Sequence, residues 1–152
     1  MARDSQNIAY RGNRRWSGNH GKVWLDGDLV FEIQAFELKV TADRDDVIIG
    51  NSKDSKIVSL TGEGTITIKN VFDRGFNNYL EELKAGHDPR FTIIASLEDP
   101  DAIGGQGTRL VADNCWLNEL NLLHFTKGEL VETEIPFGVT PEDITYLNTV
   151  EL

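Results

Sequence analysis

Cysteine is nearly absent. Cys115 stands alone, so no internal disulfide can staple the chain, and a single thiol fits a reducing compartment. Long apolar runs are missing too: none approaches the roughly 20 residues of a membrane-crossing helix, and no membrane role is expected. The opening residues, MARDSQNIAYRGNRRWSGNHG, contain no apolar core of the kind a secretory signal needs. Catalytic signatures are likewise lacking, with no G-x-S-x-G, H-E-x-x-H or C-x-x-C in the sequence. His20, His87 and His124 are scattered, none with a second ligand at metal spacing, so they read as structural or solvated. Gly104-Gly105-Gln106-Gly107 leads into a strand pattern where a phosphate loop requires a helix N-terminus, and therefore reads as a turn. Carboxylates abound, but nothing in their pattern indicates the burial or close pairing that shifts a pKa into catalytic use. Neither an enzyme nor a cofactor or metal is expected.

What remains is a chain of 152 residues, 39% hydrophobic and 26% charged, which suits one globular domain with its own core. The net charge of −10 is unevenly spread. Arg3, Arg11, Arg14, Arg15 and Lys22 oppose only Asp4 in the first 22 residues, so everything after them is strongly acidic. The sequence thus divides into a basic N-terminal arm, residues 1–20, and a single β domain, residues 21–152. The arm is either a solvated terminus or a docking element, with Arg11, Arg14 and Arg15 pairing carboxylates of a neighbouring copy and Trp16 filling an apolar notch. An acidic body argues against a surface that neutralises nucleic-acid phosphates.

Along the domain, residues 22–25 and 29–40 predict a hairpin turned by Asp26-Gly27-Asp28. The apolar residues of its second strand change parity. Leu29, Phe31 and Ile33 are odd, whereas Phe36, Leu38 and Val40 are even, and a side-chain period of two forbids this on one buried face. A bulge or bend near Ala35, carrying the strand from one face or sheet to another, is expected. Residues 40–64 are mostly polar with two short β-branched pieces, Val47–Ile49 and Ile57–Val58, and read as a long extended loop. In GTITIKNV, Ile66 and Ile68 share a face. DRGFNNYLEELKAGHDP predicts the one helix: Asp73 caps it, Phe76, Tyr79, Leu80 and Leu83 form its stripe, and Gly86 and Pro89 stop it. A helix so short must lie on a sheet, so Phe76, Leu80 and Leu83 are expected in the core. RFTIIASL, TRLVADNC, CWLNELNLLHF and LVETEIPF complete a β-meander, the last alternating Val131, Thr133, Ile135 and Phe137 with Glu132 and Glu134. The fold class is mainly β, a β-sandwich or partial barrel with one α-helix.

Such an open set of strands leaves unpaired edges, which invite another chain. Ring closure of identical copies into a larger barrel satisfies them.

The pieces GKVWLDGDLVFEIQAFELKV, GEGTITIKNV before a single helix, LKAGHDPRFTIIASLEDPDA, and GQGTRLVADNCWLNELNLL leading to GELVETEIPFGVTPEDI resemble, in their order and spacing, the tail tube proteins of contractile-tailed phages, defective prophages and phage-tail-like bacteriocins. The resemblance runs from about Gly21 to Ile144. It implies a small β-sandwich or barrel with one helix, assembling as hexameric rings that stack into a hollow tube. The tube would conduct DNA, or ions in bacteriocins, inside a contractile sheath, with sheath, baseplate and tape-measure proteins as further partners. DNA would pass without specific binding, and the location would be a tail or tail-like particle made in the host cytoplasm. The long loop of such tubes contacts the next ring; it maps here to Asp43–Thr61, with Asp43, Arg44, Asp45, Asp46, Lys53, Asp54 and Lys56 as its charged residues. Two other readings stay open: a type VI secretion-like tube protein, and a monomeric carbohydrate-binding β-sandwich using Trp16, Trp24 and Trp116.

Overall fold

The computed structural model describes residues 11–70 and 76–151, and its secondary structure is mainly antiparallel strand. Strand β1 (Gly21–Leu25) turns through Asp26 and Gly27, both at positive φ, into the two-residue β2 (Asp28–Leu29). Two long strands follow, β3 (Ile33–Ile49) and β4 (Ser52–Lys69). The helix α1 (Phe76–Lys84) precedes β5 (Phe91–Leu97), β6 (Thr108–Leu117), β7 (Glu132–Val139) and β8 (Ile144–Asn148). Their order in the sheet is β2-β1-β5-β6-β7-β4-β3, with β8 also paired to β6. The sheet does not close, because β2 and β3 remain at opposite ends.

One strand belongs to both halves of this sheet. Residues 108–115 of β6 pair with β5, while Trp116 and Leu117 pair with β7. Between Ala112 and Cys115 the register against β5 slips by one residue, and Asn114 takes φ +57. That left-handed position suits asparagine, and an extra residue there bends the strand and turns the sheet over on itself. The core lies between the halves: Val23, Ile93 and Ala112 from one meet Ile66, Ile68, Ile135, Phe137 and Val139 from the other. Phe36 and Phe137 stack with ring centroids 6.1 Å apart.

The parity change has a different cause from the expected change of face. Phe31 lies outside the strand, in the link from β2 to β3, and is 83% exposed. Within β3, Ile33 pairs with Ile68 and Ala35 with Thr67, so Gln34 is the bulged residue. One extra residue resets the alternation. Ile33, Phe36 and Leu38 therefore all pack against the same core instead of serving two faces.

Three further expectations are corrected. The segment from Asp43 to Thr61 is no loop: β3 and β4 pair continuously out to Ile49 and Ser52, around Gly50-Asn51. Second, the strand read in CWLNELNLLHF stops at Leu117, and residues 118–131 run irregularly. Pro136 gives the reason. In β7 the polar backbone groups of 132, 134 and 136 face away from β4, and a proline there offers no N–H to a fourth strand. Third, α1 is a peripheral helix. Leu80 is half-buried and Leu83 is 44% exposed, so neither is a core residue of the single chain. Phe76 starts the helix, its side chain falls outside the described residues, and so does the proposed cap Asp73. The helix ends as expected at Gly86 (φ +84), where Gly86 N–H donates to Leu83 O and His87 N–H to Glu82 O. Tyr79 ties it down, its hydroxyl accepting from the Leu117 N–H at 3.0 Å.

Candidate assembly interface

The β3–β4 hairpin outgrows the body that supports it. Strand β7 covers β4 only from Gly62 to Lys69, so residues 41–49 and 52–61 form a ribbon of two strands with no third among the described residues. At about 3.4 Å per residue it projects roughly 30 Å. Two-stranded ribbons are marginal in water, since only one lateral ladder holds them. Cross-strand polar contacts help: Ser59 Oγ donates to Asp43 Oδ2 at 2.8 Å, Arg44 donates to Ser55 Oγ at 3.2 Å, and Lys53 lies 3.1 Å from Asp46. All are exposed, and such a pair contributes only about 0–1 kcal/mol.

The ribbon's two faces differ. A second register slip between Asp43 and Arg44 leaves Val58 bulged. The face that continues the core side of the sheet carries Val40, Ile48, Ile57 and Leu60, all exposed, with Arg44, Asp46 and Lys53. The opposite face carries Asp43, Asp45, Asp54 and Lys56 together with the exposed Val47 and Ile49. Of the charged residues expected at this site, the structure therefore gathers all seven on one ribbon but divides them between its sides.

A second surface was not foreseen as one. Residues 118–124 lie along the strand-free edge of β7 and satisfy its carbonyls one after another, and residues 125–131 turn back into β7. Asn118 N–H donates to Pro136 O at 3.1 Å, Asn121 Nδ2 to Glu134 O at 2.7 Å, and His124 Nε2 to Glu132 O at 2.6 Å. The segment is thus fixed, with Leu122, Leu123, Phe125 and Leu130 turned to solvent; Leu123 is 83% and Leu130 97% exposed. Its apolar content reads in sequence as a buried strand, and Pro136 is the signal that separates the two readings.

The basic arm is described from Arg11 onward. Its last part folds onto its own chain. Ser17 N–H and Asp101 N–H both donate to the Asp99 carboxylate at 2.9 Å, and Arg14 donates to Asp101 O at 3.0 Å. These two N–H groups, Asp101's first and then Ser17's, hold the Asp99 carboxyl below its ordinary pKa. Arg14 therefore has one acceptor on its own chain. Arg15 is exposed, and Trp16 is 49% exposed.

No group of three metal-binding side chains occurs among the described residues. Cys115 is fully buried, donates to Ala112 O at 3.2 Å, and burial pushes its thiol up to about 12. The guanidinium of Arg109 lies 5.0 Å over Trp24 and that of Arg90 lies 4.8 Å over Trp116. Two of the three tryptophans considered as a sugar platform are thus already covered by cations of their own chain. Among the described residues no helix is long and apolar enough to cross a membrane.

Comparison with known proteins points the same way. The chain is 28% identical over 145 residues to the phage-like element PBSX protein XkdM of Bacillus subtilis strain 168, covering 90% of this chain and 95% of that one. A second Bacillus subtilis protein, the uncharacterized YqbM, is 29% identical over the same shares. In structure it is similar to the tube-terminating cap of the anti-feeding prophage, at TM-score 0.71 and 13% identity over 98% of this chain and 100% of that one. The sheath–tube complex of an extracellular contractile injection system contains a chain similar at TM-score 0.67 and 9% identity, over 95% and 98%. The profile of the phage tail tube protein family matches residues 8–148, and the chain belongs to that family.

Proposed function

We propose that this chain is the repeating unit of the hollow inner tube of a contractile, phage-like tail, built of stacked hexameric rings. The observation that carries the reading is the ribbon of residues 41–61, which has no third strand among the described residues and displays exposed apolar side chains, Ile48, Ile57 and Leu60 on one face and Val47 and Ile49 on the other. A ribbon of that kind is stabilised by a neighbour. The open ends of the sheet, β2 and β3, supply edges through which copies can close into a ring. The ribbon then reaches the adjacent ring, and its Asp43–Thr61 portion takes the inter-ring role expected of it.

The net charge of −10 suits a conduit for DNA, because a wall of like charge repels phosphates and keeps the cargo from adhering. Family membership and the phage-like relative favour a tail over a monomeric sugar-binding module. Sheath and baseplate proteins are the proposed outer and terminal partners. Negative-stain microscopy of the purified protein at high concentration tests the reading: rings or tubes with a central hole are expected. A chain that stays monomeric at every concentration and binds glycans on an array overturns it.

A further inference from the structure

We propose that the fixed apolar segment 118–131 is the seat on which the β3–β4 ribbon of a neighbouring copy docks. This inference rests on the tube reading above and names the partner surface that the reading leaves open. Three observations converge on it. Asn118, Asn121 and His124 bond the β7 edge and pin the stretch that carries the exposed Leu122 and Leu123, with the exposed Phe125 next to it and Leu130 in the turn that follows. An apolar patch so held does not collapse onto its own chain, and a contiguous one marks a contact surface.

The ribbon offers the matching chemistry. Val40, Ile48, Ile57 and Leu60 line one of its faces, and the charged residues on that face are Arg44 and Lys53 against Asp46. The seat is acidic. Glu119 and Glu129 oppose Lys127, and the exposed Glu132 and Glu134 of β7 border it. In a chain of net charge −10, most pairs of faces repel; here apolar area coincides with opposite charge. The ribbon's other face also bears the exposed Val47 and Ile49, but its three aspartates and one lysine give it the wrong sign for the same seat. Two different patches meeting in this way make a heterologous contact, which propagates from copy to copy as a tube requires.

The test uses the full chain carrying Ile48→Cys and Leu123→Cys together, both at exposed positions, while Cys115 is buried and silent. Under oxidation at assembling concentration, the double variant is expected to give a covalent ladder of oligomers on a non-reducing gel. Either substitution alone gives none. Arg44→Glu with Lys53→Glu in that background should remove the ladder, and adding Glu119→Lys with Glu129→Lys should restore it. Tubes seen by microscopy without a ladder overturn this pairing and leave the tube reading standing; neither tubes nor ladder overturns both. Loss of the ladder on charge reversal without any restoration also overturns the pairing.

Discussion

Ile33 and Phe36 face the same core although they stand three positions apart along one strand, because Gln34 between them is bulged. The Gln34 amide, oriented with its nitrogen toward Glu132, reaches that carboxylate at 2.9 and 3.2 Å and anchors the irregularity across the sheet. Deleting Gln34 removes the bulge yet leaves Ile33, Phe36 and Leu38 on one face of a now regular strand, so the chain is expected to stay folded with a modest loss of stability. Gln34→Ala keeps the extra residue and loses at most a hydrogen bond to a charged group, about 1.5–3 kcal/mol. Circular dichroism and urea unfolding of the two variants check this; a deletion that abolishes folded protein contradicts the assigned bulge.

Gly64 sits where the hairpin meets the second half of the sheet. A Cβ there would lie 2.2 Å from Glu37 O and 2.5 Å from the Phe137 ring, and Phe137 is fully buried. Gly64→Ala should destabilise the chain by about 1–3 kcal/mol or more, as an overpacked core position does. A shift in the urea midpoint checks it, and an unchanged midpoint means the strands are not as close as described.

The ribbon of residues 41–61 should lose its amide protons quickly in the isolated subunit and slowly in tubes. Hydrogen exchange with mass spectrometry reads both states. Equal protection of ribbon and core in the monomer would show that the two-stranded extension needs no neighbour.

Asp99 clasps the segment that precedes β1. Its carboxyl is held below the ordinary value by the N–H groups of Asp101 and Ser17, so the clasp is complete above the usual carboxylate range. It is lost as pH falls through the lowered pKa. Asp99→Asn should speed tryptic cleavage after Arg14 and Arg15 at neutral pH while leaving the unfolding temperature of the body nearly unchanged. The parent should become equally cleavable only after acid exposure, assayed with a protease active there. Identical digestion of both chains at neutral pH would sink the clasp.

Cys115 should ignore thiol reagents at pH 8, since burial pushes its thiol up to about 12. Its modification should follow global unfolding in urea and nothing earlier.

Strand β7 was legible because one of its faces is wet: Glu132 and Glu134 alternate with Thr133, Ile135 and Phe137, and burial follows that alternation. The bulge in β3 was visible as a broken parity, though parity alone does not tell a reset from a change of face. The ribbon was hidden because both its faces meet solvent. No alternation separates Thr41 and Asp43 from Ala42 and Arg44, and polar residues in a paired strand look like a loop. Leucine-rich residues 120–125 misled in the opposite sense, since apolar residues held at a surface look like a core strand until Pro136 is considered as their neighbour. Strand β8, a short edge with Tyr146 and Leu147 exposed, offered no stripe at all. The candidate assembly surfaces were thus legible as segments, while their geometry depended on pairing partners far along the chain.

The ribbon's isolation from the body has a consequence for how such a chain changes over evolutionary time. Residues inserted two at a time on each side of Gly50-Asn51 keep every existing side chain on its own face, and each such step adds roughly 7 Å. Nothing in the core must be repacked, because the first shared ladder begins only at Gly62 and Val139. The length of the arm is therefore a quantity that can drift or be selected independently of the fold. A single-residue insertion is not neutral in the same way: it exchanges the basic apolar side for the acidic one along the rest of the affected strand. Arms of related chains should accordingly differ by even numbers of residues per strand, or by odd numbers accompanied by a new bulge.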